Sequence, residues 1–63
     1  MGEIYLAAVC HDIQSNTLEA TWLQNTGTEL RRVKCRNYPV EQKGEFLADT
    51  GDAGQKYVAM AGW

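Results

Sequence analysis

The segment that decides the fold is Leu18-Glu19-Ala20-Thr21-Trp22-Leu23, along which apolar and polar side chains alternate. Alternation with a period of two is typical of a β-strand that is covered on one face. Leu18, Ala20 and Trp22 share the apolar face, and the side chains between them point the other way. We therefore predict that this segment is the central strand of a three-stranded antiparallel sheet.

Turn-forming residues separate this strand from an apolar run before it and a basic run after it. Ile4–Cys10 has the length of a strand and carries apolar side chains in both alternating positions. Ser15-Asn16 is a turn signal before the central strand, and Asn25-Thr26-Gly27 is a stronger one after it. The predicted strands are Ile4–Cys10, Leu18–Gln24 and Thr28–Asn37.

The pairing of the second and third strands depends on the length of the turn between them. A two-residue turn at Thr26-Gly27 would place Ala20 opposite Val33. In that register Leu18 lies opposite Cys35, and Glu19 lies opposite Lys34. Apolar residues then face apolar residues and an acid faces a base, so this register is the one that we expect.

Two short helices are expected after the sheet. Pro39 ends the third strand and fits the first turn of a helix, which we predict over Val40–Asp49. Thr50-Gly51 is predicted to end that helix, and a second helix is predicted over Ala53–Ala61. The expected fold class is α+β: a three-stranded antiparallel meander (βββαα) with both helices packed on one face, in a single domain, 1–63.

Length and charge narrow the functional classes. The 63 residues carry a formal net charge of -2, and no apolar run approaches the roughly 20 residues that span a bilayer. The N-terminal sequence lacks the basic start and the apolar region of a signal peptide, so a cytoplasmic location with no membrane contact is expected.

The chain offers little for catalysis or metal binding. Cys10, His11 and Cys35 lack the paired spacing of a zinc site, and Cys10 and Cys35 fall on the two outer strands, too far apart for a disulfide. We expect both thiols to lie in the core. Asp12 is expected to organise a turn beside a partly exposed His11, and Ser15 is expected to be a residue of that turn rather than a catalytic nucleophile. The prediction is a protein without enzymatic activity, metal or cofactor.

The third strand concentrates positive charge. Arg31, Arg32, Lys34 and Arg36 are four of the six basic residues and lie within six positions. Alternation predicts Arg32, Lys34 and Arg36 on the solvent face. Such a row is compatible with a charged edge strand that prevents aggregation, with a contact to an acidic protein, or with binding to a phosphate backbone.

Aromatic residues supply the core and a further candidate contact. Trp22, Phe46 and Tyr57 are expected in the core or at its rim, with Trp63 beside them or at an interface. The candidate partner-binding residues are therefore Arg32, Lys34, Arg36 and Trp63. An open strand edge or Trp63 could also hold two copies together as a homodimer.

Three segments of the chain resemble other sequences: Val9-Cys10-His11-Asp12, Leu18-Glu19-Ala20-Thr21-Trp22 and Val33-Lys34-Cys35-Arg36-Asn37-Tyr38. Through them the chain resembles short uncharacterised proteins of bacteriophages and prophages of proteobacteria. The resemblance implies a phage accessory protein without a known activity. The expected function is a small protein-interaction module with an unidentified partner, and the alternative is a nucleic-acid-binding protein that uses the basic strand.

Overall fold

The computed structural model describes residues 2–62 and has three strands followed by a helix. The strands are β1 (Ile4–Asp12), β2 (Thr17–Asn25) and β3 (Leu30–Pro39), and they form one antiparallel sheet in the order β1-β2-β3. A 3-10 turn at Val40–Gln42 leads into helix α1 (Lys43–Ala61). The prediction of an α+β meander with β2 at its centre is confirmed.

The prediction of two separate helices is not matched, because one helical element, Lys43–Ala61, spans the expected break. Gly51 lies inside α1 with φ 62° and ψ −141°, which is a conformation that essentially only glycine adopts, and the helix kinks there. The Thr50 hydroxyl donates to the Phe46 carbonyl at 2.7 Å next to the kink. Beyond it, Gly54 is buried, and its missing side chain lets the backbone lie against Thr50 and Phe46.

Helix α1 covers one face of the sheet, which we call the covered face. The side chains buried between helix and sheet are Leu18, Ala20, Trp22, Tyr38 and Phe46. The Tyr38 and Phe46 rings pack edge to face with their centroids 5.4 Å apart. The Tyr57 hydroxyl donates to the Ala7 carbonyl at 3.3 Å, so the helix reaches from β3 to β1. The predicted burial of Trp22 and Phe46 is confirmed.

The predicted pairing of β2 with β3 is wrong by three residues over most of its length. Leu18 lies opposite Tyr38, Ala20 opposite Arg36 and Glu19 opposite Asn37. The connection is a four-residue loop, 26–29, because the Thr26 N–H donates to the Glu29 carbonyl at 3.0 Å and the Asn25 side chain accepts from the Gly27 N–H at 2.9 Å. An odd shift places the affected side chains of β3 on the opposite face of the sheet from the predicted one.

Both outer strands are irregular where they pass the same part of β2. The pairing of β1 shifts between Leu6 and Ala8, and the pairing of β3 shifts between the partners of Trp22 and Leu23. Each shift leaves one extra residue on the outer strand, as in a β-bulge. Because β2 itself is regular, the bulges set which residues of β1 and β3 share a face at the end near the 26–29 loop.

The protein is extended for its size. Its radius of gyration is 12.3 Å, whereas a compact domain of this length has about 10.6 Å. Its accessible surface is 4493 Å², against about 4,000 Å² for an average monomer of this mass. Both differences have the same origin, since a single helix covers one side of a three-stranded sheet and nothing in residues 2–62 covers the other.

Candidate interaction surface

The sheet side that faces away from α1 is called the open face. Strand pairing places its side chains in four rows, each running from β1 through β2 to β3. The Thr21 hydroxyl lies 3.9 Å from the Cys35 sulfur, as expected for neighbours on one side of a sheet. The rows are Tyr5–Leu23–Arg32, Ala8–Thr21–Cys35, Cys10–Glu19–Asn37 and Asp12–Thr17–Pro39.

The open face changes in chemistry from one end to the other. One end presents the Tyr5 ring, which is 44% exposed, together with Leu23 and the cation of Arg32. The middle carries the small side chains of the second row, and the far end carries the carboxylates of Glu19 and Asp12. The face therefore has a bulky end that carries Arg32 and an acidic end that carries Glu19 and Asp12.

The acidic end is hollow. A cavity of about 380 Å³ opens there between the β1–β2 turn and the strands. Small and polar side chains line it, and an aromatic ring from outside would find both apolar contacts and hydrogen-bond acceptors. Its lining residues are Cys10, His11, Asp12, Ser15, Thr17, Glu19 and Asn37. A separate depression of about 440 Å³ lies at the opposite end of the sheet, beside Tyr5 and the Asn25–Gly27 turn.

The turn that bounds the hollow is organised by Asp12, as predicted. Its carboxylate accepts from the N–H of Gln14 at 3.0 Å and from the N–H of Ser15 at 3.4 Å. Hydrogen bonds from Ser15, through its side chain and its backbone, lower the pKa of Asp12. Asn16 completes the turn with φ 55°, and its carbonyl accepts from the Val40 N–H at 3.1 Å. The hollow is thus tied to the start of the helical segment.

The three basic candidates of β3 do not share a face. Arg32 lies on the open face opposite Leu23, whereas Lys34 and Arg36 lie on the covered face opposite Trp22 and Ala20. The prediction of a continuous basic solvent face is therefore wrong, and the cause is the three-residue shift of the strand pairing. Trp63, the fourth candidate, lies outside the described residues.

Arg36 joins β3 to helix α1. Its guanidinium donates to Asp49 at 2.7 Å and to Glu45, and it lies over the Tyr38 ring at 4.9 Å. The Tyr38 hydroxyl donates to the same Asp49 carboxylate at 2.9 Å. Burial, together with this hydrogen bond, raises the pKa of Tyr38 to about 12. Arg36 therefore contributes to the packing of the helix on the sheet.

Lys34 is also engaged on the covered side. Its ammonium lies 4.4 Å from the centroid of the Trp22 ring, within the range of a cation–π contact. Trp22 itself is 8% exposed, so the lysine helps to close the edge of the core. Two of the four cations of the basic run thus make contacts that belong to the fold.

The expectation that Cys10 and Cys35 are core thiols is wrong. Both are free and exposed, because the observed pairing places them on the open face. They lie on the two outer strands, as predicted, and in different rows. Tyr38, by contrast, is buried on the covered face and is only 1% exposed.

The structure shows two features that the sequence interpretation missed. The hollow depends on the exact pairing of three strands, and no short sequence pattern predicts it. The contacts of Arg36 could have been inferred from the sequence, because Glu45 and Asp49 are four residues apart and share one side of a helix. Carboxylates at that spacing suit a cation on the strand below.

Other kinds of site find little support in the described part of the chain. Within residues 2–62, no three or more His, Cys, Asp or Glu side chains are grouped so as to hold a metal ion. No helix in this range is long and apolar enough to cross a membrane.

No family model matches the sequence, and no curated protein or solved structure matches it significantly.

Proposed function

We propose that the protein is a small, non-enzymatic protein-interaction module whose contact surface is the open face. The observation that carries this proposal is that one whole side of the sheet is left uncovered by residues 2–62, among which only five apolar side chains are buried. A domain of this size buries a small fraction of its surface, so every uncovered face costs it stability. A solvated face with an exposed Tyr5 therefore favours a role in binding.

The chemistry of the face fits a protein partner better than nucleic acid. Tyr5 and Arg32 belong to residue types that are enriched in protein interfaces, and the small side chains between the ends allow close approach. Of the four cations of the basic run, Arg36 is paired with two carboxylates and Lys34 lies over Trp22. Phosphate contacts along β3 would have to displace both arrangements.

The cellular setting is part of the same proposal. The resemblance to phage and prophage proteins supports an accessory role during infection or lysogeny, in the bacterial cytoplasm. Such a role needs a binding surface and no reaction chemistry, which agrees with the interaction module.

A capture experiment with a matched pair of variants tests the proposal. Tagged protein is mixed with bacterial lysate that is supplemented with an untagged copy of the chain, with and without nuclease. Thr21→Glu places a charge at the centre of the open face, and Thr28→Glu makes the same change in the 26–29 loop. We expect a captured protein, from the lysate or the added copy, that survives nuclease, is lost with Thr21→Glu and is kept with Thr28→Glu.

Other results would contradict the proposal in different ways. A captured protein that binds both variants equally would move the contact away from the open face. Nucleic acid that is captured and then lost on nuclease treatment would favour the nucleic-acid-binding alternative, with Arg31 and Arg32 as its first candidates. An empty lane would argue against an interaction module.

A further inference from the structure

The two ends of the open face are complementary to each other. Tyr5 projects at one end, and the 380 Å³ hollow lies at the other, with the Asp12 carboxylate in its wall. A Tyr hydroxyl that enters this hollow can donate to Asp12, while its ring contacts the apolar parts of the wall. One molecule cannot bring its own two ends together, but two molecules can.

We propose that the open face binds the open face of a second copy, with the strands of the two sheets running in opposite directions end for end. This inference rests on the proposed function and names the partner for the same surface. A two-fold axis that lies between the sheets and runs across the strands places each end of one face against the opposite end of the other. Tyr5 of each copy then enters the hollow of its partner, so the contact is made twice.

Charge selects this arrangement over the other two-fold packing of the same faces. If the axis ran along the strands, Glu19 of one copy would face Glu19 of the other near the middle of the interface, and the like charges would repel. With the axis across the strands, the row of Glu19 faces the row of Thr21, whose hydroxyl can donate to the carboxylate. Along β3, Arg32 faces Pro39 of the second copy, so no like charges meet at this end of the interface.

The size of the face sets the expected strength. Three strands about 4.8 Å apart and nine residues of about 3.3 Å each make a face of roughly 14 by 30 Å. Two such faces bury on the order of 1,000 Å² in total, at the lower limit of specific interfaces. The dimer is therefore a weak one that forms as the concentration rises, with sheets packed about 10 Å apart as in a β-sandwich.

The test is sedimentation equilibrium over a concentration series that reaches the millimolar range. We expect the wild type to pass from monomer to dimer, and Thr21→Glu to weaken association at least tenfold because the introduced carboxylate would face Glu19 of the second copy. Adding Glu19→Arg to Thr21→Glu restores an opposite-charge pair across the interface and should restore the dimer. Thr28→Glu, in the loop, should associate like the wild type.

The design separates this inference from its alternatives. Circular dichroism establishes that each variant is folded, and Tyr5→Ser, on an edge strand, carries the same test if Thr21→Glu unfolds. A wild type that stays monomeric at millimolar concentration overturns the inference, as does a dimer that Thr21→Glu leaves intact or that the double variant does not restore. If the lysate experiment meanwhile captures another protein in a Thr21-dependent way, the proposed function stands and only the second copy is excluded.

Discussion

The covered and open faces of the sheet are built from the same three strands and differ in what completes them. On the covered face the large side chains of β2 and β3 are packed or paired, and even the cations contact an aromatic ring or a carboxylate. On the open face Arg32, Asp12 and Glu19 lie exposed around small side chains. A basic strand therefore does not define a basic surface, because the pairing register decides which of its cations remain on the solvent side.

The largest expected effect on stability comes from removing a buried side chain from the covered face. Phe46 is fully buried and packs against Tyr38, so Phe46→Ala should cost about 3–5 kcal/mol of the free energy of unfolding. That loss is comparable to the whole stability expected of a domain this small, and most of the protein should unfold. Urea denaturation followed by Trp fluorescence measures it. Met60→Ala, at a side chain that is 80% exposed, is the control and should change little.

Alkaline pH is expected to destabilise the covered face by ionising the Tyr38 hydroxyl. The folded-state pKa is about 12 and the unfolded value is about 10, so folding favours the neutral phenol. Its contribution is complete below pH 10 and is lost as the pH rises through 12, a difference on the order of 3 kcal/mol.

Tyr38→Phe isolates this contribution from the other groups that titrate at high pH. The difference in unfolding free energy between wild type and Tyr38→Phe should shrink steadily between pH 10 and 12. A difference that stays constant over this interval would contradict the burial of Tyr38 and its hydrogen bond to Asp49 as the causes that hold the proton on the phenol.

Two arginines of the same strand provide the most direct comparison of the faces. Arg36→Ala removes the link between β3 and α1, and we expect a loss of about 1–2 kcal/mol, reduced from a buried pair because the arginine is 44% exposed. Arg32→Ala, four positions earlier on the open face, should stay within about 0.5 kcal/mol. Equal losses of unfolding free energy in chemical denaturation would contradict the claim that Arg36 stabilises the fold and that Arg32 does not.

The smallest effects concern the helix that covers the sheet. Gly51→Ala places a β-carbon on a backbone with φ 62° and should destabilise by about 1 kcal/mol or somewhat more. Gly44→Ala should instead stabilise by about 0.5–1 kcal/mol, because Gly44 is helical and a β-carbon added to it would meet no other atom within 4 Å. Opposite signs in thermal unfolding support the kink at Gly51. A stabilising Gly51→Ala would show that the helix does not need it.

The three strands and the two faces of β2 could be predicted because a local sequence pattern indicates them. The alternation from Leu18 to Leu23 fixes which side chains of the central strand are buried, and turn residues bound it on both sides. The pairing of β3 could not be predicted from the same local signals, because Thr26-Gly27 suits a two-residue turn and the longer loop depends on side-chain hydrogen bonds within it.

The errors about the β3 side chains follow from that loop together with the bulge of β3. The longer loop shifts the pairing by two residues, which by itself keeps each side chain of β3 on its predicted face. The extra residue of β3 between the partners of Trp22 and Leu23 makes the shift three, which places Lys34 and Arg36 on the covered face and Cys35 on the open face. What stabilises the shifted register is non-local: Tyr38 packs on Phe46, and Arg36 meets carboxylates of α1. Gly51 was predicted to end a helix, and the helical geometry is interrupted there, but as a kink within one helical element rather than as a break between two helices.

The most direct test of the division between the two faces is a dilution series followed by amide chemical shifts of the ¹⁵N-labelled protein. We predict that shifts change with concentration at Tyr5, Thr21 and the residues around the hollow, while those of Phe46 and Tyr38 stay constant. Changes confined to α1 or to an outer strand edge, or no change up to millimolar concentration, would contradict the assignment of the open face as the binding surface for a second copy.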